Sequence, residues 1–132
     1  MRARAARVAF LGALVLSVAS CRRGRTCDAS DPVSLELCGP RKEWVGQWLE
    51  VSAQQRWIDI GPHGGYRFGD NGPLHHRRVE GDIIGFSGDD LMVRTNDDAG
   101  EKLLVRVTDP PHEGAEGWRM TVEGSTYYRS AP

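Results

Sequence analysis

Beyond Pro40 the chain is cut at close intervals by glycine, proline, asparagine and aspartate, and no segment between the cuts carries a helical period. That punctuation restricts the chain to short extended segments. Trp44 to Val51 comes first. Arg56 to Ile60 then alternates with Ile58 and Ile60 on one face, before the turn signal Gly61-Pro62-His63-Gly64-Gly65. Tyr66 to Phe68 is a short strand ended by Gly69-Asp70-Asn71-Gly72-Pro73. Leu74 to Glu80 reads as a polar, edge-like strand, followed by Asp82 to Phe86 and, across Ser87-Gly88-Asp89-Asp90, by Leu91 to Thr95. Glu101 to Thr108 places Leu103, Val105 and Val107 on one face, and Pro110-Pro111 ends it.

The last hairpin is the most strongly specified. Trp118, Met120 and Val122 alternate with polar residues, and Glu123-Gly124 is a two-residue turn into Ser125 to Arg129. This register sets Met120 opposite Tyr127 and Trp118 opposite Arg129. A slip by one residue would oppose Arg119 to Arg129, like charges across the ladder. The expected fold is all-β. Regular turn spacing allows a sandwich or a barrel. Local connections favour a small antiparallel up-and-down (meander) barrel of about seven or eight strands, which also removes exposed sheet edges.

The N-terminus is a different kind of sequence. Arg2, Arg4 and Arg7 precede an uncharged apolar run from Val8 to Ser20, the pattern of a secretory signal over residues 1–20. The run falls short of the roughly 20 apolar residues of a spanning helix. It ends in Val18-Ala19-Ser20-Cys21, which resembles the lipobox of bacterial lipoproteins. The resemblance implies cleavage before Cys21 and acylation of that residue (thioether diacylglycerol, with an amide-linked chain such as palmitate). It also implies a place in the cell envelope, with Arg22 favouring the outer membrane, facing the periplasm. Each buried CH2 contributes about 0.8 kcal/mol, so two or three chains form a lasting anchor. Of 17 basic and 18 acidic side chains, Arg2, Arg4 and Arg7 leave with the signal, and the remainder carries a net charge of −4. That balance gives no basic footprint for nucleic acid.

With Cys21 acylated, Cys27 and Cys38 remain. In an exported protein a disulfide is the default, with free thiols or a metal site as alternatives. A lone pair eleven residues apart, without a nearby histidine, is poor metal spacing. Residues 21–42 read as a lipid-anchored tether with a disulfide loop, and 43–132 as the barrel. Arg22, Arg23 and Arg25 either rest against anionic headgroups, at about 1 kcal/mol each, or are simply solvated. Asp31-Pro32 caps a single helical turn reaching Leu37, which Cys38-Gly39-Pro40 ends.

Gly46-Gln47-Trp48 on the first strand resembles the Gly-x-Trp of lipocalins and related calycin barrels. Those families carry an arginine near the last strand that packs across the tryptophan and closes one end. Arg129 stands at that position. The resemblance covers roughly Glu43 to Ala131 and implies barrel-closing roles for Gly46, Trp48, Trp118 and Arg129. A contact of Trp118 with Arg129 would contribute about 0.5–2 kcal/mol. The chain is shorter than a typical lipocalin and lacks the later family motifs, so the barrel is either hollow or filled by its own side chains.

No paired catalytic groups stand out. Gly-x-Ser-x-Gly and phosphate-cradling glycine loops are absent from the sequence. His63 and His112 fall in loops, and His75 and His76 point to opposite faces. Asp89-Asp90 and Asp97-Asp98 are acid pairs of the sort turns favour. His75-His76-Arg77-Arg78 is a basic run on a polar strand. The expectation is a non-enzymatic envelope lipoprotein without cofactor or metal. Its lipocalin-like barrel binds a small apolar ligand or an envelope component, with Trp57, Tyr66, Phe86 and Tyr127 as mouth residues. The alternative is a protein-interaction module, such as a periplasmic enzyme inhibitor or immunity-type lipoprotein. An apolar pocket points to the first, and an exposed apolar patch on a filled barrel to the second.

Overall fold

The computed structural model describes residues 27–52, 55–73 and 76–129. The expected signal, the lipobox at Val18-Ala19-Ser20-Cys21, and His75 lie outside them. Helix α1 (Pro32–Cys38) comes first, capped as its sequence specifies: the Asp31 side chain accepts from Val33 N at 3.0 Å, and Pro32 opens the helix. Cys27 and Cys38 form a disulfide across it. Val33, Ser34 and Leu37 are buried, so the helix packs onto the barrel. The Ser34 hydroxyl accepts from Asp28 N at 3.0 Å, which satisfies it in that position. Arg41 then ties the loop to the sheet by donating to Gly88 O at 2.6 Å and lying 4.3 Å over the Phe86 ring.

A 3-10 turn (Lys42–Trp44) leads into nine strands: β1 (Gly46–Glu50), β2 (Arg56–Ile60), β3 (Gly65–Asn71), β4 (His76–Ser87), β5 (Asp90–Thr95), β6 (Lys102–Val105), β7 (Val107–Gly114), β8 (Gly117–Val122) and β9 (Ser125–Arg129). The sheet order is β6-β5-β4-β3-β2-β1-β9-β8-β7, and each neighbouring pair is antiparallel. First and last strands pair at Leu49–Tyr128 and Glu50–Tyr127. The two edge strands, β6 and β7, are consecutive and joined by Arg106 alone, so the sheet curls into a half-barrel. The fold is all-β, an antiparallel meander of the up-and-down barrel type.

At the seam the strand pass leaves β5 for β8, and the ladder cannot serve every backbone group there. Side chains complete it. Glu123 Oε1 accepts from Arg106 N at 2.9 Å, and Asp90 Oδ1 accepts from Val107 N at 2.9 Å. Both acids read as plain turn residues in the sequence; the structure makes them the fasteners of the barrel.

The final hairpin has the expected register, with Trp118 opposite Arg129 and Met120 opposite Tyr127. Glu123 and Gly124 both take positive φ, 49° and 80°, as a two-residue turn of this hand requires. Four expectations are corrected. Gly69-Asp70-Asn71 is strand rather than turn, because it pairs with Arg78, Arg77 and His76 of β4. Gly81 does not divide Leu74 to Phe86 into two strands. It sits where a Cβ would fall 2.1 Å from Arg94 O, so β4 runs on with close backbone approach. Nor is β4 an edge strand, since β3 and β5 flank it. The β5 ladder begins only at Gly81, which explains the polar composition ahead of it. Pro110-Pro111 does not end its strand either. Both lie within β7, a sheet edge with register shifts, where missing N–H groups cost little.

Candidate functional site

The barrel interior is layered by register, and its two ends differ. Trp48, Ile58, Ile60, Leu91, Val93 and Met120 are essentially inaccessible and fill the middle and lower parts. The lower end is closed by an aromatic and cationic cluster. The Arg129 guanidinium lies 5.0 Å from the Trp48 ring and 5.6 Å from that of Trp118, and it donates to Val45 O. The Trp48 indole donates to Trp44 O at 3.0 Å. Burial pulls the Arg129 pKa down, with Glu43 opposing. Its Nε has no hydrogen-bond partner, so the ring faces on either side supply the compensation. Gly46 is required here. Its φ is 137°, and a Cβ would stand 2.7 Å from Arg129 Cδ. The structure thus brings Gly46, Trp48, Trp118 and Arg129 together.

The other end holds a cavity of about 370 Å³. Ile58, Phe68, Val79, Leu103, Val105 and Val122 make its floor and walls. Its rim follows from strand pairing: Arg56 stands opposite Asp70, and Asp70 opposite Arg77. Arg56 Nε donates to Asp70 Oδ2 at 3.1 Å, its Nη1 donates to Ser125 Oγ at 3.1 Å, and Glu50 lies 3.6 Å away. The bond to Asp70 raises the Arg56 pKa. Glu123 and Arg77 complete the polar lining.

Tyr66 and Tyr127 also line this cavity, both buried, and neither hydroxyl has a hydrogen-bond partner among the described residues. Burial raises both pKa values, that of Tyr127 to about 12, so both stay protonated and available as donors. The other two expected mouth residues lie elsewhere. Trp57 is on the outer face, because Ile58 and Ile60 take the inward positions of β2, and its ring lies across Gly69. Phe86 packs edge-on against Trp44 at 6.3 Å beneath Arg41.

Among the described residues no group of three or more histidine, cysteine, aspartate or glutamate side chains could hold a metal ion. Asp97 is occupied in its own turn, accepting from Thr95 Oγ1 at 2.8 Å and Gly100 N at 3.0 Å, with a lowered pKa. His112 Nδ1 stands 3.1 Å from Pro110 O and 3.5 Å from Asp109. An apolar floor, a paired polar rim and two protonated tyrosines suit noncovalent capture of a small molecule. Sequence reasoning missed Arg56 and Asp70, and it placed Leu103 on a strand face and Arg77 in a basic run without joining either to a cavity. The inward alternation of β2 signals Arg56 only once its pairing with β3 is known. No family model, curated protein or solved structure matches the chain.

Proposed function

We propose that this is a non-enzymatic lipoprotein, anchored through lipid on Cys21 to the envelope and most compatible with the outer membrane facing the periplasm. Its lipocalin-like barrel binds a small apolar ligand or an apolar part of an envelope component. The cavity carries this reading: an apolar floor lies under a polar rim, at the end opposite the Trp48–Arg129 closure. At about 370 Å³ it suits a small ligand. An uncharged fluorescent naphthylamine tests it. The protein should bind the probe with enhanced emission, and Val122→Trp, which fills the cavity, should lower affinity at least tenfold. Equal binding by a folded Val122→Trp protein would refute the reading. The anchor has its own test. Cys21→Ser should accumulate as unprocessed precursor, and normal processing would sink it.

A second reading, the protein-interaction module, rests on a different face. Met92 stands on the outside of β5 with Ile84 displaced by the β4 irregularity, both exposed, and exposed Leu104 opposite Met92 borders the cavity as well. Met92→Asp would leave probe binding intact and abolish capture of a protein partner.

A further inference from the structure

The barrel's outer surface carries one registered row that none of the roles above uses. Trp57, Leu49 and Tyr128 stand opposite one another on β2, β1 and β9. The row continues through Gly69 to Arg78 on one side and through Arg119 to His112 on the other. Its centre is apolar and flat. A Cβ at Gly69 would fall 2.3 Å from the Trp57 ring, so the indole lies down on the β3 backbone instead of standing off it. Leu49 is 46% exposed beside it. Its flanks are cationic. Arg67 lies 5.7 Å from the Trp57 ring, and Arg119 lies 5.1 Å from the Tyr128 ring while donating to its hydroxyl at 2.7 Å. Arg78 is exposed, with no ion pair or side-chain hydrogen bond among the described residues. The row itself contains no carboxylate. Those of the adjacent rows face cations: Asp59 and Glu80 stand opposite Arg67, and Asp109 lies 3.5 Å from His112.

We infer that this row is a membrane-contact face, seated at the headgroup level of an anionic bilayer. Two arguments choose that occupant. Tryptophan and tyrosine rings with an apolar body and a polar tip suit the membrane–water interface. Of the flanking arginines Arg78, unlike Arg67 with Glu80 at 3.6 Å, is free to complement an anionic headgroup and strengthen apposition about fivefold. The second argument rests on the lipid anchor of the preceding section. Tyr128 and Arg119 adjoin Arg129 and Trp118, which line the same recess as Cys27 and Cys38. Cys21 precedes Cys27 by six residues, which span at most about 20 Å. A lipid on Cys21 therefore holds the bilayer within reach of this face, and contact here orients the barrel on the membrane.

The test uses the full lipidated protein in vesicles of phosphatidylethanolamine and phosphatidylglycerol, doped with a phospholipid spin-labelled near its headgroup. Quenching of tryptophan emission is expected, and in Trp57→Phe it falls to the remainder contributed by half-buried Trp118, since Trp44 and Trp48 are buried. Arg78→Ala, at an exposed and unpaired position, should lower the apposition equilibrium about fivefold. Protein that stays on the vesicles through a salt wash with Trp57 unquenched would overturn the proposal and leave the anchor standing. Protein that washes off refutes the anchor and the proposal together, a result sedimentation tells apart. Trp57 shielded from both lipid and aqueous quenchers, with a dimer mass, assigns the face to a second copy and also overturns it.

Discussion

The two ends of the barrel use arginine in opposite ways. At the closed end Arg129 has no salt bridge among the described residues; tryptophan faces and a single carbonyl hold it. At the mouth Arg56 is bound to Asp70 and Ser125, beside Glu50, and remains 42% exposed. The first arrangement cannot adjust without opening the core. The second is a half-exposed guanidinium over two carboxylates that are only 11% and 12% exposed, open to solvent and adjustable on the arginine's side alone. Rigidity at one end and adjustability at the other are what the proposed ligand-binding role needs.

That contrast is open to direct attack. Trp48→Ala strikes the closed end hardest. It removes a fully buried indole and should cost about 3–5 kcal/mol in denaturant unfolding, enough to unfold a small domain. Gly46→Ala should cost about 2 kcal/mol, because the new methyl meets Arg129 Cδ and the residue must hold a φ of 137°. Full stability in either variant would mean that the cluster is not a structural closure.

The mouth responds to alkali. Tyr127 titrates near 12 when folded and near 10 when unfolded, and Tyr66 is raised as well. Above about pH 10 the folded state therefore holds more protons than the unfolded one. Its stability should be intact below that pH and fall as pH rises through 10 to 12. Tyr66→Phe with Tyr127→Phe should flatten the decline, as thermal melts across that range would reveal. Smallest of all, Arg56→Lys, which keeps a cation over Glu50 and Asp70, should change stability by no more than about 1 kcal/mol, since the guanidinium itself is 42% exposed. Its effect should appear in ligand affinity instead. A loss as large as that of Trp48→Ala would erase the distinction between the ends.

The fold was largely legible because its signals are local. Alternation marked β2 and β8, the Glu123-Gly124 turn fixed the last register, and Asp31-Pro32 announced α1. The two ends were legible to different degrees. Gly46, Trp48 and Arg129 fall at positions that a resemblance flags even though they come from opposite ends of the chain. The mouth was harder to read, since Arg56, Asp70 and Arg77 form a set only through two ladders whose registers no local motif declares. The errors share one cause. Gly69, Gly81 and Pro110-Pro111 were read as breaks by residue type, whereas ring packing, close backbone approach and an edge position decided each case.

The most direct test of the account is methyl-resolved nuclear magnetic resonance of the protein titrated with a neutral apolar probe. Shifts should concentrate on Ile58, Val79, Leu103, Val105 and Val122, with the Trp48 and Trp118 indole signals unmoved. Shifts confined to Ile84 and Met92, or none at any methyl, would contradict a ligand-binding mouth.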